Sequence, residues 1–509
     1  MNLTRKRPGS ALPVDTSGIV LFLVACLIYF AGRAPFLGQW DSFDYLRQTV
    51  THQLSALAFG RPVFIGYNIV LWEIFRRLFG LTPQQVEDVV MAGIILTGGL
   101  GVLLFRRLAR DLLPGRLSRM ATLAFLLSPM YAIYSGFVMT EVPMLVVVLA
   151  VAVVLWESSG KNPVSGPLAG GFLFGLAIGI REQAATLGAA FLWILWKRRH
   201  DLPSRLRACL LFAFTSALTT LVPILVLYLH DRAGFFARTE LWMRAIPTGG
   251  SHLLANMESS ALFALAVCPG VWPTLLGGGA VYAWKRALRG SGSGRTEASL
   301  SQTGGTTGAR ASGFSHPAWG VVCGFVLPLA VLWRDADVQM HPRYLLILLP
   351  AAILAGVSLF GRLFPSTRAA LWWAVIQVAV FGAGAVALEP VHRIQHEKRE
   401  YANLVLNSVP DRGLLVSGGF SPALEYYRGI GVRPHWRILW SGWGWNRESV
   451  EATIRMAWGK GEPVYLCDAP WGWLMLEDER LDLFIILRDC PRVTIAPGIT
   501  RFYPPDRKI

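Results

Sequence analysis

Apolar runs of bilayer length recur along this chain, and that recurrence restricts the fold more than any other feature. A segment that crosses a bilayer as a helix needs about twenty mostly apolar residues, and these runs approach that length. The runs are Gly18 to Phe36, Val89 to Phe105, Met120 to Phe137, Val142 to Trp156, Leu168 to Ile180 and Ala184 to Trp196. Ala208 to Leu229, Leu262 to Trp284, Pro317 to Trp333, Tyr344 to Phe360 and Ala370 to Leu388 follow. With 53% hydrophobic and only 16% charged residues in 509, the sequence predicts a polytopic α-helical membrane protein of about eleven transmembrane helices.

The formal charge of +16 raises the question of a polyanionic partner. The basic residues form no face: Arg106-Arg107, Lys197-Arg198-Arg199 and Lys285-Arg286 each close an apolar run. This is the anchoring pattern of cytoplasmic loops, and it speaks against nucleic acid. Basic Asn2 to Arg7 with no small-residue cleavage site after the first run reads as an uncleaved first span with a cytoplasmic amino terminus. Cys26, Cys209, Cys268 and Cys323 lie in or beside apolar runs as small hydrophobes without metal spacing. Cys467 and Cys490 follow the last span, and a disulfide between them or two free thiols both fit an oxidising outer compartment.

Pro62 to Phe79 is apolar but carries Glu73, Arg76 and Arg77, charges that an interfacial helix tolerates better than a crossing one. If it does not cross, every later basic loop falls in the cytoplasm, so it is read as an interfacial or re-entrant helix inside a first external loop, residues 37–88. That topology brings Asp41, Asp44, Glu141, Arg181, Glu182, His341 and Arg343 to the outer ends of spans, although they come from four places in the chain. Ionisable groups at membrane depth must be paired or hydrated, and together they mark a candidate site.

Each position also has a plainer reading. Asp41 and Asp44, three apart beside Tyr45, share a helical face, so one can serve as base while the other orients the acceptor; a lone Asp there would be a helix cap. Glu141, in Met139-Thr140-Glu141-Val142-Pro143, can cap the next helix or hold an acceptor or an arginine. Arg181-Glu182-Gln183 interrupts nearly continuous apolar sequence, and Arg181 suits a lipid phosphate or snorkels to a headgroup. In His341-Pro342-Arg343-Tyr344 the proline bends the chain into a new span and presents Arg343, where a cation can neutralise charge on a departing phosphate.

Beyond Leu388, Gly413 to Ser417 and Pro463 to Cys467 read as buried strands, and Ser421 to Tyr427 and Arg447 to Trp458 as helices. The predicted organisation is a transmembrane domain over residues 1–389, a Gly/Ser/Thr-rich cytoplasmic linker at 290–313, and an extracytoplasmic α/β domain over 390–509. Trp436, Trp440, Trp443, Trp445, Trp471 and Trp473 read as core, as membrane-surface anchors or as a sugar-stacking platform.

Taken in order, the acidic pair after the first span, the Thr-Glu-x-Pro mouth, Arg181 after a glycine-containing span and the run Arg343 to Pro350 resemble the GT-C superfamily. Within it the pattern looks most like the protein-mannosyltransferase and aminoarabinose-transferase group. The resemblance covers Gly18 to about Leu388 and implies transfer of a sugar from a polyprenyl-phosphate carrier to an extracytoplasmic acceptor, with inversion at the anomeric carbon. The acceptor class is lipid, glycan or protein, and the setting is a multi-pass protein of a bacterial inner membrane with its site facing outward. Asp41 matches the family's catalytic acid. This chain has Asp-x-x-Asp where several relatives carry adjacent acids, which leaves the choice between Asp41 and Asp44 open. Arg181 and Arg343, with His341 and Tyr344, are expected at the donor phosphate, and Glu141, Glu182 and Tyr45 at the acceptor or in support. The scheme requires no cofactor and leaves a divalent metal open. A lipid-sugar flippase or other transporter would place charges at mid-membrane, and an O-antigen polymerase or ligase would use a diphosphate-linked donor with Arg-rich outer loops.

Overall fold

The computed structural model describes residues 16–37, 40–53, 61–158, 164–199, 201–230, 232, 234–236, 239, 324, 327–335, 342–418, 420–440, 446–468 and 477–506. His341, the 290–313 stretch, the run Leu262 to Trp284 and the tryptophans 443, 445, 471 and 473 lie outside them.

The helices follow the apolar runs, with breaks where the local chemistry demands them. Helix α1 (Thr16–Ala31) is followed by a short α2 (Trp40–Thr51) and by α3 (Pro62–Phe79). Helix α4 (Val86–Leu112) follows a turn whose Thr82 and Gln85 form a reciprocal capping box. Its first turn carries Glu87 and Asp88 and its last Arg110, so the charges oppose the helix dipole.

The run Met120 to Phe137, expected as one span, is two helices, α5 (Gly115–Leu126) and α6 (Pro129–Ser135). Pro129 has no amide to donate and its ring obstructs a continuing helix, so the break falls at Leu127 and Ser128. Next come α7 (Glu141–Glu157), α8 (Ser165–Ile180), α9 (Gly188–Arg198) and α10 (Leu202–His230). Helices α8 and α10 pack so closely that a Cβ on Gly171 would lie 2.5 Å from the Phe212 carbonyl oxygen, the small-residue contact by which apolar helices approach in a membrane. After α11 (Leu327–Asp335) come α12 (Leu349–Leu363) and α13 (Thr367–Ser408), whose Ser366 side chain accepts the Ala369 amide as N-cap.

Among the described residues four helices are long and apolar enough to cross a membrane: Pro83–Leu112, Leu202–Leu229, Arg343–Leu363 and Thr367–Ser408. Thr16–Ala31 and Ser165–Ile180 are shorter apolar helices. Eleven crossings are therefore not established. Helix α13 continues without a break through Pro390, past the boundary expected at 389, and leads directly into a sheet.

The sheet has the order β2-β1-β3-β5-β4, with β1 (Gly413–Ser417), β2 (Trp436–Trp440), β3 (Val464–Cys467), β4 (Arg492–Ala496) and β5 (Ile499–Phe502). Strands β1, β2 and β3 are parallel, and β5 runs antiparallel both to β3 and to its hairpin partner β4. Connecting helices are α14 (Ser421–Gly429), α15 (Arg447–Gly459) and α16 (Glu477–Leu487). Strand alternation divides the buried residues between two cores. Leu414, Val416 and Val464 pack with Val450, Ile454, Leu483 and Cys490, while Leu415, Tyr465 and Cys467 join Tyr401 and Val405 of α13.

Cys467 and Cys490 thus belong to different cores, and both are free thiols, so the disulfide alternative does not form. Trp436 is buried and donates its indole N–H to the Pro410 carbonyl at 2.7 Å, the core role among the alternatives for that residue.

Candidate active site

Five chain segments deliver charged side chains to one buried cluster. Asp41 sits in the first turn of α2, where a carboxylate suits the helix dipole, and Ser42 anchors that turn by donating to the Val138 carbonyl at 2.9 Å. The anchor ties the start of α2 to the Val138-Met139 segment that leads into α7. Arg61 occupies the N-cap of α3, ahead of Pro62 at N1, and donates through Nη1 to Asp41 Oδ2 at 3.3 Å. A cation is poorly placed at a helix N-terminus unless an anion answers it, and Asp41 is that anion.

Glu141 and Arg181 form the centre. Arg181 follows α8 in extended backbone (φ −159°, ψ 125°) before a 3₁₀ segment, Glu182–Leu187. Its Nη1 donates to Thr140 Oγ1 at 2.5 Å and to Glu141 Oε1 at 2.8 Å, and its Nε to Gln183 Oε1 at 2.6 Å. Arg343, in the 3₁₀ segment Pro342–Leu348, places Nε 2.9 Å from the same Glu141 oxygen and Nη2 3.9 Å from Asp41 Oδ2. Tyr344 lies under both guanidiniums, with ring centroid 4.9 Å from Arg181 Cζ and 5.7 Å from Arg343 Cζ. The Tyr134 hydroxyl of α6 also hydrogen-bonds Arg343.

Burial makes these contacts consequential. Arg181 is 0%, Glu141 1%, and Asp41 and Arg343 each 5% exposed. Burial alone pushes the Arg181 guanidinium pKa down, but Glu141 and then Glu182 outweigh it, so Arg181 is held more firmly protonated than in water. Two features of the cluster are left open for a ligand. Three guanidiniums, of Arg61, Arg181 and Arg343, face two carboxylates, of Asp41 and Glu141, leaving one positive charge in excess. The Arg181 Nη2 group is buried without a hydrogen-bond partner among the described residues, an arrangement that costs stability unless a ligand completes it.

The other sequence-predicted residues fall differently. Asp44 lies on α2 beyond the cluster, its Oδ1 2.7 Å from Arg47 Nη2 and its Oδ2 accepting from Gln48 at 2.8 Å. Tyr45 is buried with its ring edge-on to Phe64 (5.1 Å) and 5.5 Å from Arg61 Cζ, so it packs behind Arg61. Glu182 is exposed and touches the cluster only through its field on Arg181. Sequence reasoning missed Arg61, Thr140 as an arginine acceptor, Gln183 and Tyr134. Arg61 carried a readable signal, a cation immediately before a helix-starting proline. Among the described residues no three of His, Cys, Asp or Glu stand together in a way that would hold a metal ion.

No protein-family model and no curated protein matches the chain. Its fold does match solved structures. The crystal structure of ArnT from Cupriavidus metallidurans in the apo state superposes with a TM-score of 0.58 at 15% identity, covering 96% of this chain and 98% of that one. The same protein bound to undecaprenyl phosphate gives 0.57 over the same shares. The archaeal oligosaccharyltransferase AglB from Archaeoglobus fulgidus, in complex with an inhibitory peptide and a dolichol-phosphate, gives 0.51 at 10% identity, covering 97% of this chain and 75% of that one. The agreement spans nearly the whole chain and upholds, at the level of architecture, the likeness read from the sequence: the protein has the fold of these ArnT and AglB structures.

Proposed function

We propose that the protein is a membrane glycosyltransferase that moves a sugar from a polyprenyl-phosphate donor to an extracytoplasmic lipid, glycan or protein acceptor, with inversion. The observation that carries this reading is the buried cluster's single excess positive charge beside an unpartnered guanidinium N–H, a site made for one phosphate. In the reaction the acceptor's oxygen or nitrogen forms a bond to the anomeric carbon as the bond from that carbon to the phosphate oxygen breaks. The electron pair leaves with the phosphate, where Arg181, Arg343 and Arg61 stabilise it. Asp41 takes the acceptor's proton. Glu141 and Tyr344 hold Arg181 and Arg343 in place, and a lipid monophosphate leaves without a general acid. Asp41 is preferred over Asp44 because it alone of the pair reaches the arginines.

A route for the lipid chain supports the same reading. An apolar cavity of about 580 Å³ runs between α7, α9 and α12. It begins at Leu187 and Ile347, in the two 3₁₀ segments that carry or follow Arg181 and Arg343, and ends at Lys197 and Arg198. The stretch from Leu187 to Arg198 rises about 17 Å if wholly helical, so a phosphate at the arginines can trail an isoprenoid tail through hydrocarbon. The ArnT structure with undecaprenyl phosphate and the AglB structure with a dolichol-phosphate belong to proteins of the same fold, which agrees with such a donor. We read the site as facing outward, the amino terminus and residues 290–313 as cytoplasmic, and residues 390–509 as an outer α/β domain.

The test compares Asp41→Asn with Asp44→Asn in protein reconstituted with polyprenyl-phosphate sugars. Asn keeps size and hydrogen bonding but takes no proton, so Asp41→Asn is expected to lower transfer about 10²- to 10⁴-fold while donor binding persists. Near-normal turnover in Asp41→Asn with loss in Asp44→Asn would reassign the base. Activity in both would remove the mechanism.

A further inference from the structure

A second charged cavity, sharing no lining residue with the arginine cluster, lies where the end of α1, the start of α4 and the C-terminal quarter of α13 meet. It holds about 430 Å³, within the range of small-ligand sites. Its charged lining is Arg33, Glu87, Asp88 and Arg399. Among the described residues no ion pair joins any of the four to another. Each guanidinium rests instead on an aromatic ring, Arg33 Cζ 3.9 Å from the Phe30 centroid and Arg399 Cζ 5.9 Å from that of Phe36. Two guanidiniums and two carboxyl groups thus face one space with no direct ion pair among them in the described residues.

Asp88 also lines a neighbouring apolar groove of about 730 Å³ between α1, α3 and α4. Phe22, Tyr67, Leu71, Leu96 and Leu100 form its walls. From Asp88 to Leu100 the helix descends about 18 Å, and the polar residues Gln85 and Asp88 stand at its upper end. A charged chamber that shares a wall with an apolar groove of that depth fits an amphiphile with its head in the chamber and a chain in the groove.

The charge balance selects the head. A purely anionic head would meet Arg33 and Arg399 but also the carboxyl oxygens of Glu87 and Asp88, whereas a head carrying both phosphate and ammonium gives the guanidiniums an acceptor and the carboxyl oxygens a donor. We propose that this chamber and groove form a binding site for a phospholipid with a zwitterionic phosphate–ammonium headgroup, separate from the arginine cluster and independent of the transfer reaction. The bound lipid joins α1 and α4 to α13, the helix that leads into the sheet.

The test is native mass spectrometry of the full chain released from detergent after incubation with phosphatidylethanolamine or with phosphatidylglycerol of the same acyl chains. The protein is expected to retain phosphatidylethanolamine about tenfold over phosphatidylglycerol, the factor that one charge-assisted contact carries. Arg399→Ala, at an exposed head contact, and Ala92→Trp, which fills the groove from its exposed wall, should each lower that retention. Leu210→Trp, on an exposed helix face elsewhere, should not. Equal retention of the two lipids, or retention unchanged in both Arg399→Ala and Ala92→Trp, would overturn the proposal. Glycerophosphoethanolamine, which has no chains, should bind far more weakly than the intact lipid; equal binding would overturn the role of the groove.

Discussion

Replacing Glu141 with Gln tests the charge arrangement on which the proposed reaction depends. In the parent protein one Glu141 oxygen meets Arg181 at 2.8 Å and Arg343 at 2.9 Å, and all three side chains are buried. Removing one partner of a buried ion pair costs about 3–5 kcal/mol, because a cation is left in low dielectric without its anion. Gln retains an acceptor oxygen for Arg181, which places the expected loss near the lower end, about 3 kcal/mol. The substitution also raises the cluster's surplus from one positive charge to two, with Asp41 alone opposing Arg61, Arg181 and Arg343. An anion should therefore stabilise the variant more than the parent, and a ligand at a hundred times its Kd returns about 2.7 kcal/mol. The assay is thermal unfolding in detergent of both proteins, with and without a long-chain polyprenyl phosphate. The expected result is a less stable variant with a larger ligand-induced shift and slower transfer, since Arg343 and Arg181 lose their common anchor. A variant as stable as the parent, or a shift no larger than the parent's, would refute the account of Glu141 as that anchor.

Two further outcomes follow from packing. A Cβ on Gly429 would lie 2.8 Å from Cγ of Arg47, whose guanidinium is held by Asp44, so Gly429→Val should cost about 1–3 kcal/mol as overpacking and expose the α2–α14 contact to limited proteolysis; unchanged protection would deny that contact. Burial pushes the Cys467 thiol up to about 12, so it stays protonated and unreactive at neutral pH; maleimide should label it only on unfolding and without prior reductant, and a need for reductant would restore the disulfide.

The residues that were legible in the sequence share one property: each is expensive where it stands. Glu141, Arg181 and Arg343 interrupt or border long apolar runs, and a charge there requires a partner, so common sidedness was enough to group them. Arg61 escaped because it adjoins an amphipathic helix that already carries Glu73, Arg76 and Arg77, where one more cation does not stand out. The break at Ser128-Pro129 had its signal in the proline, but hydropathy alone joins the runs on either side of it. The strands of the tail were legible from their short apolar runs, yet the fate of Cys467 and Cys490 was not. Alternation says only that Cys467 shares a face with Tyr465, and the two cores become distinguishable once the order β2-β1-β3-β5-β4 and the positions of α13 and α16 are known.

The pair Asp41 and Asp44 shows why spacing alone did not divide the labour. Three positions on a helix put both carboxylates on one face, but α2 has only 12 residues, too few to be stable without tertiary contacts. Those contacts differ along its length. At the Asp41 end Ser42 is tied to Val138, and the arginines are within reach. Further on, Phe43 stacks edge-on against Phe36 at 5.3 Å and tilts against Tyr426 of α14 at 5.9 Å. One turn later Arg47, paired with Asp44, abuts Gly429 at the end of the same tail helix. Helix α2 is therefore clamped between the membrane helices and the C-terminal sheet's α14, and the carboxylate nearer the membrane helices is the one that meets the excess positive charge. The position of Asp41 depends on how α14 is seated, so the tail region helps to place this carboxylate although none of its described residues enters the arginine cluster.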